Sequence, residues 1–163
     1  MSRRLTRHAL ADWLEAAQIE GLDKVHAGIM YSIPWDEHGS GSEYSCQAVV
    51  NIRPRRETRI AGGGLGPPNG QKMITSGAEV RIYFRSADPD WLAAQDAFDD
   101  ICEAIVKQIR AGGRTLGRPD DILSAGEFEA GIVQDNAEPA ADAGGVMFAS
   151  CQVRFEIQEV INT

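Results

Sequence analysis

Cysteine is scarce in this 163-residue chain: Cys46, Cys102 and Cys151 are odd in number, far apart, and form no CxxC. That spacing offers neither a disulfide framework nor a paired-thiol metal site. The three read as reduced, mostly buried thiols of a protein made in a cytoplasm. His8, His26 and His38 stand apart, without HExxH or H-x-H spacing, which removes the usual zinc patterns. No GxSxG is present, so the common serine-hydrolase elbow is missing. No apolar run approaches the ~20 residues of a membrane helix. Met1-Ser2-Arg3-Arg4-Leu5 lacks the apolar core expected of a signal peptide. Excess positive charge is lacking too. A formal net charge of −8 argues against free-standing nucleic-acid binding, which needs a basic surface.

What is present is ordinary for a soluble globular protein, 43% hydrophobic and 25% charged. The length fits a single domain over residues 1–163, able to bury roughly 68–70% of its unfolded surface without metals or disulfides. The charge is unevenly divided. Residues 1–75 carry nine basic and eight acidic side chains, whereas residues 76–163 carry seven and sixteen. Such asymmetry suits a protein whose two ends meet different partners, copies of itself included.

The clearest local signal lies between Gly77 and Gly113. In Ala78 to Arg85, Ala78, Val80, Ile82 and Phe84 alternate with Glu79, Arg81, Tyr83 and Arg85, the pattern of a half-buried strand. Asp88 is expected to cap the helix that follows, with Pro89 at its first position. Over Pro89 to Ala111, Ala94, Phe98, Ile101, Ile105 and Ile109 form an apolar stripe. Asp96, Asp99, Asp100 and Glu103 form an acidic one rotated away from it. Gly112-Gly113 ends the helix.

Elsewhere the spacing predicts a helix over Leu5 to Ile19, stopped by Gly21, and a short strand from Lys24 to Met30. Ile33 to Ser45 reads as loop, and Ser45 to Arg53 as a strand closed by Pro54. Pairing can extend outward through Thr58-Arg59-Ile60 and Met73-Ile74-Thr75 as a long protruding hairpin. Ala61 to Gly70, with its glycines and paired prolines, forms the connection. Gly117 to Asp120 reads as a turn, Phe128 to Val133 as a strand, and Asp135 to Gly145 as an acidic loop. A long last strand buries Met147, Ala149, Cys151, Val153, Phe155 and Ile157 on one face. Grouped strands predict an α+β fold: a mainly antiparallel sheet with two helices on one face.

Candidate chemistry is thin. Gly62-Gly63-Gly64-Leu65-Gly66-Pro67-Pro68 leads into a strand rather than a helix and has no Gly-Lys-Ser/Thr, so it is no phosphate loop. The carboxylates Asp96, Asp99, Asp100 and Glu103 splay along a regular helix rather than converging on one cation. Asp36-Glu37-His38 could serve acid–base work but has no accompanying nucleophile. Cys102 and Cys151 fall on apolar faces and read as core. The basic arm of Arg53, Arg55, Arg56, Arg59 and Lys72 has two readings. It contacts phosphate of nucleic acid passing by, or it pairs with acidic faces of neighbouring subunits. The acidic helix in the same chain favours the second.

Taken in order, the elements resemble the tail-terminator proteins of long-tailed bacteriophages, the minor tail protein U-like group. The likeness is carried by the helix near Ala9-Leu10-Ala11-Asp12-Trp13-Leu14 and by a strand pair joined through an extended loop. The strand Val80 to Arg85 then enters a long helix through Asp88-Pro89-Asp90-Trp91, and the closing strand Ala149 to Ile157 completes it. It spans nearly the whole chain as architecture, without a short diagnostic motif. The stretches Ala61–Gly70 and Asp135–Gly145 have no counterpart in it. The resemblance implies a homohexameric ring on the head-proximal end of the tail tube, within the virion after assembly in the host cytoplasm. The ring stops tube polymerisation and meets the tube protein and the head-completion proteins. Genomic DNA passes through its lumen, with no catalysis, no cofactor and no membrane. The basic arm and the acidic helix are then candidate subunit-contact or lumen residues, since a head-to-tail ring needs two unlike patches per subunit.

A head–tail connector or tail-completion protein is the nearest rival. A small-molecule or peptide-binding domain with Gly62–Gly70 as its lid is a rival of another class. An enzyme would show a well-formed apolar pocket with perturbed titratable groups. Gene neighbourhood separates these readings: a tail-tube gene, a portal gene, or metabolic genes alongside.

Overall fold

The computed structural model describes residues 3–38, 44–59, 71–111, 115, 122–126 and 131–162. In chain order the elements are α1 (Arg3–Ala16), β1 (Lys24–Ala27), α2 (Trp35–His38), β2 (Tyr44–Arg59), β3 (Gln71–Ser86), α3 (Trp91–Ala111), β4 (Ile122–Gly126), β5 (Val133–Ala141) and β6 (Met147–Asn162). The sheet runs β1-β2-β3-β6, and β4 and β5 both pair with the far side of β6. β1 lies parallel to β2 and every other pairing is antiparallel. The fold is α+β, as the grouping of strands predicts.

Alternation decides which face is covered. Cys46, Ala48, Val50 and Ile52 of β2, Ala78 to Phe84 at every second position of β3, and Met147 to Ile157 at every second position of β6 are buried. They join Leu10 and Leu14 of α1 and Phe98, Ile101 and Ile105 of α3 in one apolar cluster, so both long helices cover the same face. Phe84 is held between Tyr44 and Phe98, with ring centroids 5.5 and 5.3 Å away. Aromatic pairs of this kind contribute about 0.5–1.5 kcal/mol each beyond the area they bury.

β6 organises the sheet. Its 16 residues pair with β3 without interruption, from Gln71↔Asn162 to Ser86↔Met147. The long hairpin of β2 and β3 is therefore flanked by a third strand along its whole outer half.

Several boundaries differ from the expectation. The helix cap is Asp90, not Asp88: Asp90 Oδ1 accepts from the Ala93 N–H at 3.2 Å, and Asp90 O accepts from the Ala94 N–H at 3.1 Å. Asp88 instead turns the chain into that cap, its Oδ1 accepting from the Asp90 N–H at 2.8 Å. Pro89 thus lies before the helix. α1 ends at Ala16 because i→i−3 bonds (Ala17 N–H to Leu14 O, 3.3 Å; Gln18 N–H to Glu15 O, 3.2 Å) tighten its last turn before Gly21. β1 ends at Ala27, before the expected Met30, where Gly28 turns out with φ +127°. The stretch expected as loop from Ile33 to Ser45 contains the single turn α2.

β2 does not close at Pro54. Between Ile52↔Ala78 and Arg55↔Ser76 the register shifts, leaving Arg53 and Pro54 against Gly77. A bulge needs no ladder bond from its extra residue, so proline is tolerated there and the strand continues to Arg59. The expected acidic loop from Asp135 is the strand β5, since the side of β6 away from β3 offers it partners from Met147 to Arg154. Every residue of β5 is exposed, so no alternation marks it in the sequence. Of the strand expected over Phe128 to Val133, 128–130 lie outside the described residues and Gly131-Ile132 precede β5. The Ala61–Gly70 connection, Gly112-Gly113 and the Gly117–Asp120 turn also lie outside them.

Candidate functional site

The side of the sheet away from α1 and α3 is partly covered by residues 28–38, which cross it. Gly28 N–H bonds Val50 O at 2.9 Å, Gln47 Nε2 donates to Pro34 O at 3.1 Å, and Trp35 meets Phe148 edge-on at 6.4 Å. The uncovered part carries charge. Glu79 is 1% exposed there, accepting from Arg53 Nε at 2.5 Å and from Arg81 Nε. Burial pushes its carboxyl up, and the hydrogen bonds and charges of Arg53 and Arg81 outweigh burial, leaving it below the usual carboxylate range. Arg81 is correspondingly raised, chiefly by the Glu79 hydrogen bond. Arg53, expected in a partner-facing arm, is thereby an internal anchor as well.

The rest of the arm follows the bulge. Arg55 lies opposite Ser76, Arg56 opposite Thr75 and Arg59 opposite Lys72, so the arm is brought together on adjoining strands. Arg56 is exposed. β1 pairs with β2 only over Gln47 to Val50, and no described strand pairs with the outer side of β2 beyond it.

The acidic stripe sits across the molecule. Asp96, Asp100 and Glu103 of α3 are exposed and Asp99 is half-buried. The stripe meets β5. A groove of about 210 Å³ brings Asp99 and Phe98 to Glu138 and Pro139. A second, of about 610 Å³, runs from Asp100, Glu103 and Arg110 to Gln134. Sequence reasoning missed Asp135 and Glu138 as members of this flank, because only pairing with β6 gives them a fixed place. Within one chain β3 and β6 lie between the strands of the basic arm and the acidic flank.

Other candidates carry less. A trough of about 460 Å³ on the uncovered face has Arg81, Tyr83, Asp135, Ser150 and Gln152 in its walls. Its charges are already paired, Arg81 to Glu79 and Asp135 to Arg154 at 2.5 Å. Cys46, Cys102 and Cys151 are buried thiols. The hydrogen bond with Cys151, then burial, pushes Cys102 well up, and burial does the same for Cys46. Asp36 and Glu37 are exposed on α2, and among the described residues neither has a basic partner. Among the described residues no three His, Cys, Asp or Glu side chains gather as a metal site, and no helix is long and apolar enough to cross a membrane.

The architecture defines an α+β domain with unlike charged margins on opposite sides of one sheet. No protein-family model and no curated protein sequence matches the chain.

Proposed function

We propose that the protein is a structural subunit of the tail-terminator type. In this reading copies form a ring on the head-proximal end of a phage tail tube, stop its growth, and present a surface to the head-completion proteins. The observation that carries it is the separation of charge across one sheet. A basic strand margin at β2 and an acidic margin at β5 and α3 are complementary to each other, yet held apart within the chain. A surface that complements its own opposite side favours head-to-tail association, which closes as a ring when the rotation allows. Opposite charge would steer the encounter and reject the reversed arrangement.

Electron microscopy of particles made after a nonsense mutation in this gene tests the reading. Overlong tail tubes without heads are expected. Tails of normal length lying unattached would move the protein to the connector role, and normal infectious particles would remove it from the particle altogether.

A further inference from the structure

We infer that neighbouring copies join by strand addition, β5 of one copy pairing antiparallel with the bare outer half of β2 in the next, with Asp135 opposite Arg56. The inference rests on the ring reading and names the surface that would build it.

Among the described strands both are edges. An edge strand presents a row of N–H and C=O groups open to a further strand. Within the sheet β2 runs antiparallel to β3, β3 to β6, and β6 to β5, so β5 runs antiparallel to β2. A head-to-tail neighbour related by rotation keeps that sense, which gives the more stable kind of pairing.

Facing restricts the register. Asp135 lies opposite Gln152, which lies opposite Arg81, and Arg56 lies opposite Thr75. Asp135 and Arg56 therefore sit on the same side of the sheet, and a slip of one residue would put them on opposite sides. Among the permitted registers, Asp135 opposite Arg56 pairs opposite charges directly and sets Glu57 against the neutral Gln134.

Two further features agree with this register. β5 has its own shift, between Ala137 and Ala140, where Glu138 and Pro139 are the extra length. In the joined sheet the β2 bulge at Arg53-Pro54 and the β5 bulge at Glu138-Pro139 fall at adjoining levels, so each strand has an extra residue where the other has one, and the pairing comes back into step with Asn51 against Ala140. The pairing also runs from Thr58 against Val133 to Asn51 against Ala140. That is the stretch of β2 left bare by β1, whose last pair is Ala27↔Val50.

The joint implies a tilt. Arg56 is level with Gln158 through Thr75, six residues along β6 from the Gln152 level of Asp135. Six residues are ~20 Å along a strand, and the four strand steps from one β2 to the next are ~19 Å across. Strands would then lean by roughly 45° to the ring axis, near the tilt at which sheets close into barrels.

The test uses the full chain carrying Arg56→Cys and Asp135→Cys together, with each single variant as control. Directly opposed residues in an antiparallel pair have Cα atoms ~4.5–5.5 Å apart, within disulfide reach. Mild oxidation should convert the double variant to a ladder of covalent multimers on a non-reducing gel and leave each single variant without one. The charge exchange Arg56→Asp with Asp135→Arg should restore association that either change alone lowers about tenfold or more, read by sedimentation. If the double cysteine variant sediments as a multimer yet forms no ladder, this joint is wrong and copies meet elsewhere, with the ring reading intact. If the wild-type chain stays monomeric at every concentration and no ladder forms, the joint and the ring reading both fall.

Discussion

Arg53 donates from Nε to Oε2 of Glu79 at 2.5 Å, tying the residue at the β2 bulge to a carboxylate buried on the uncovered face of β3. The guanidinium groups of Arg53 and Arg81 are about half exposed while Glu79 is 1% exposed. Removing the acid releases two cations into water; removing both cations strands a buried anion. Glu79→Gln should therefore cost about 1–2 kcal/mol. Arg53→Met with Arg81→Met should cost about 3 kcal/mol or more. Urea unfolding midpoints measure the order, and the reverse order would mean that these arginines do not hold the carboxylate.

The same group sets an acid limit. Its folded pKa lies below the unfolded value of ~4.3. Its contribution is thus complete above that value and is lost as the pH falls through the depressed folded one. Urea midpoints followed from neutral pH down to about 2.5 should fall less steeply in Glu79→Gln than in the wild type below pH ~4. Parallel curves would assign the acid sensitivity to other carboxylates.

Gly21 and Gly145 share a positive φ, +82° and +81°, but not their surroundings. A Cβ on Gly21 would stand 2.9 Å from Ile101 Cδ1, whereas one on Gly145 meets nothing within 4 Å. Gly145→Ala should cost about 1 kcal/mol, for backbone strain alone. Gly21→Ala should cost more, about 2 kcal/mol, because the start of β1 must also move off α3. Equal melting-temperature losses would show that Ile101 yields freely.

The cap assignment separates two adjacent aspartates. Asp90→Ala removes the acceptor of the Ala93 N–H and should destabilise by about 1 kcal/mol. Asp88→Ala loses only a turn bond before the helix and should cost a few tenths of that. Thermal melts of the two single variants compare them directly.

Thiol chemistry should be silent in the folded state. Cys102 and Cys46 are raised, while the hydrogen bond with Cys102 lowers Cys151 and only burial shields it, so a disulfide reagent at about pH 8 should titrate none of the three quickly. All three should react once the chain is unfolded. A rapid native reaction at Cys102 or Cys151 would show that the seam between α3 and β6 opens readily.

The sheet core was legible because β3 and β6 bury one side, so Val80, Ile82, Phe84 and their partners alternate with polar residues. The long apolar stripe of α3 was legible for the same reason at helical spacing. The β2 bulge was not, since proline ends most strands and only the register shift opposite Gly77 lets the strand continue past Pro54. β5 was hidden more completely. Its alanines and acids bury nothing, and it is a strand because β6 needs a partner there. Half of the candidate site went unseen with it: the acidic helix residues were visible, while Asp135 and Glu138 took their place only through pairing.

β6 follows in the chain every strand it pairs with, and β3, β4 and β5 all depend on it. As the polypeptide leaves the ribosome, β3 can meet β2, but its other edge waits until β6 has emerged. The apolar face under α3 stays incomplete for the same interval, a state in which exposed strands invite wrong pairing. Emergence of β6 is therefore the event the sheet waits for, since β5 has no described strand to pair with before it.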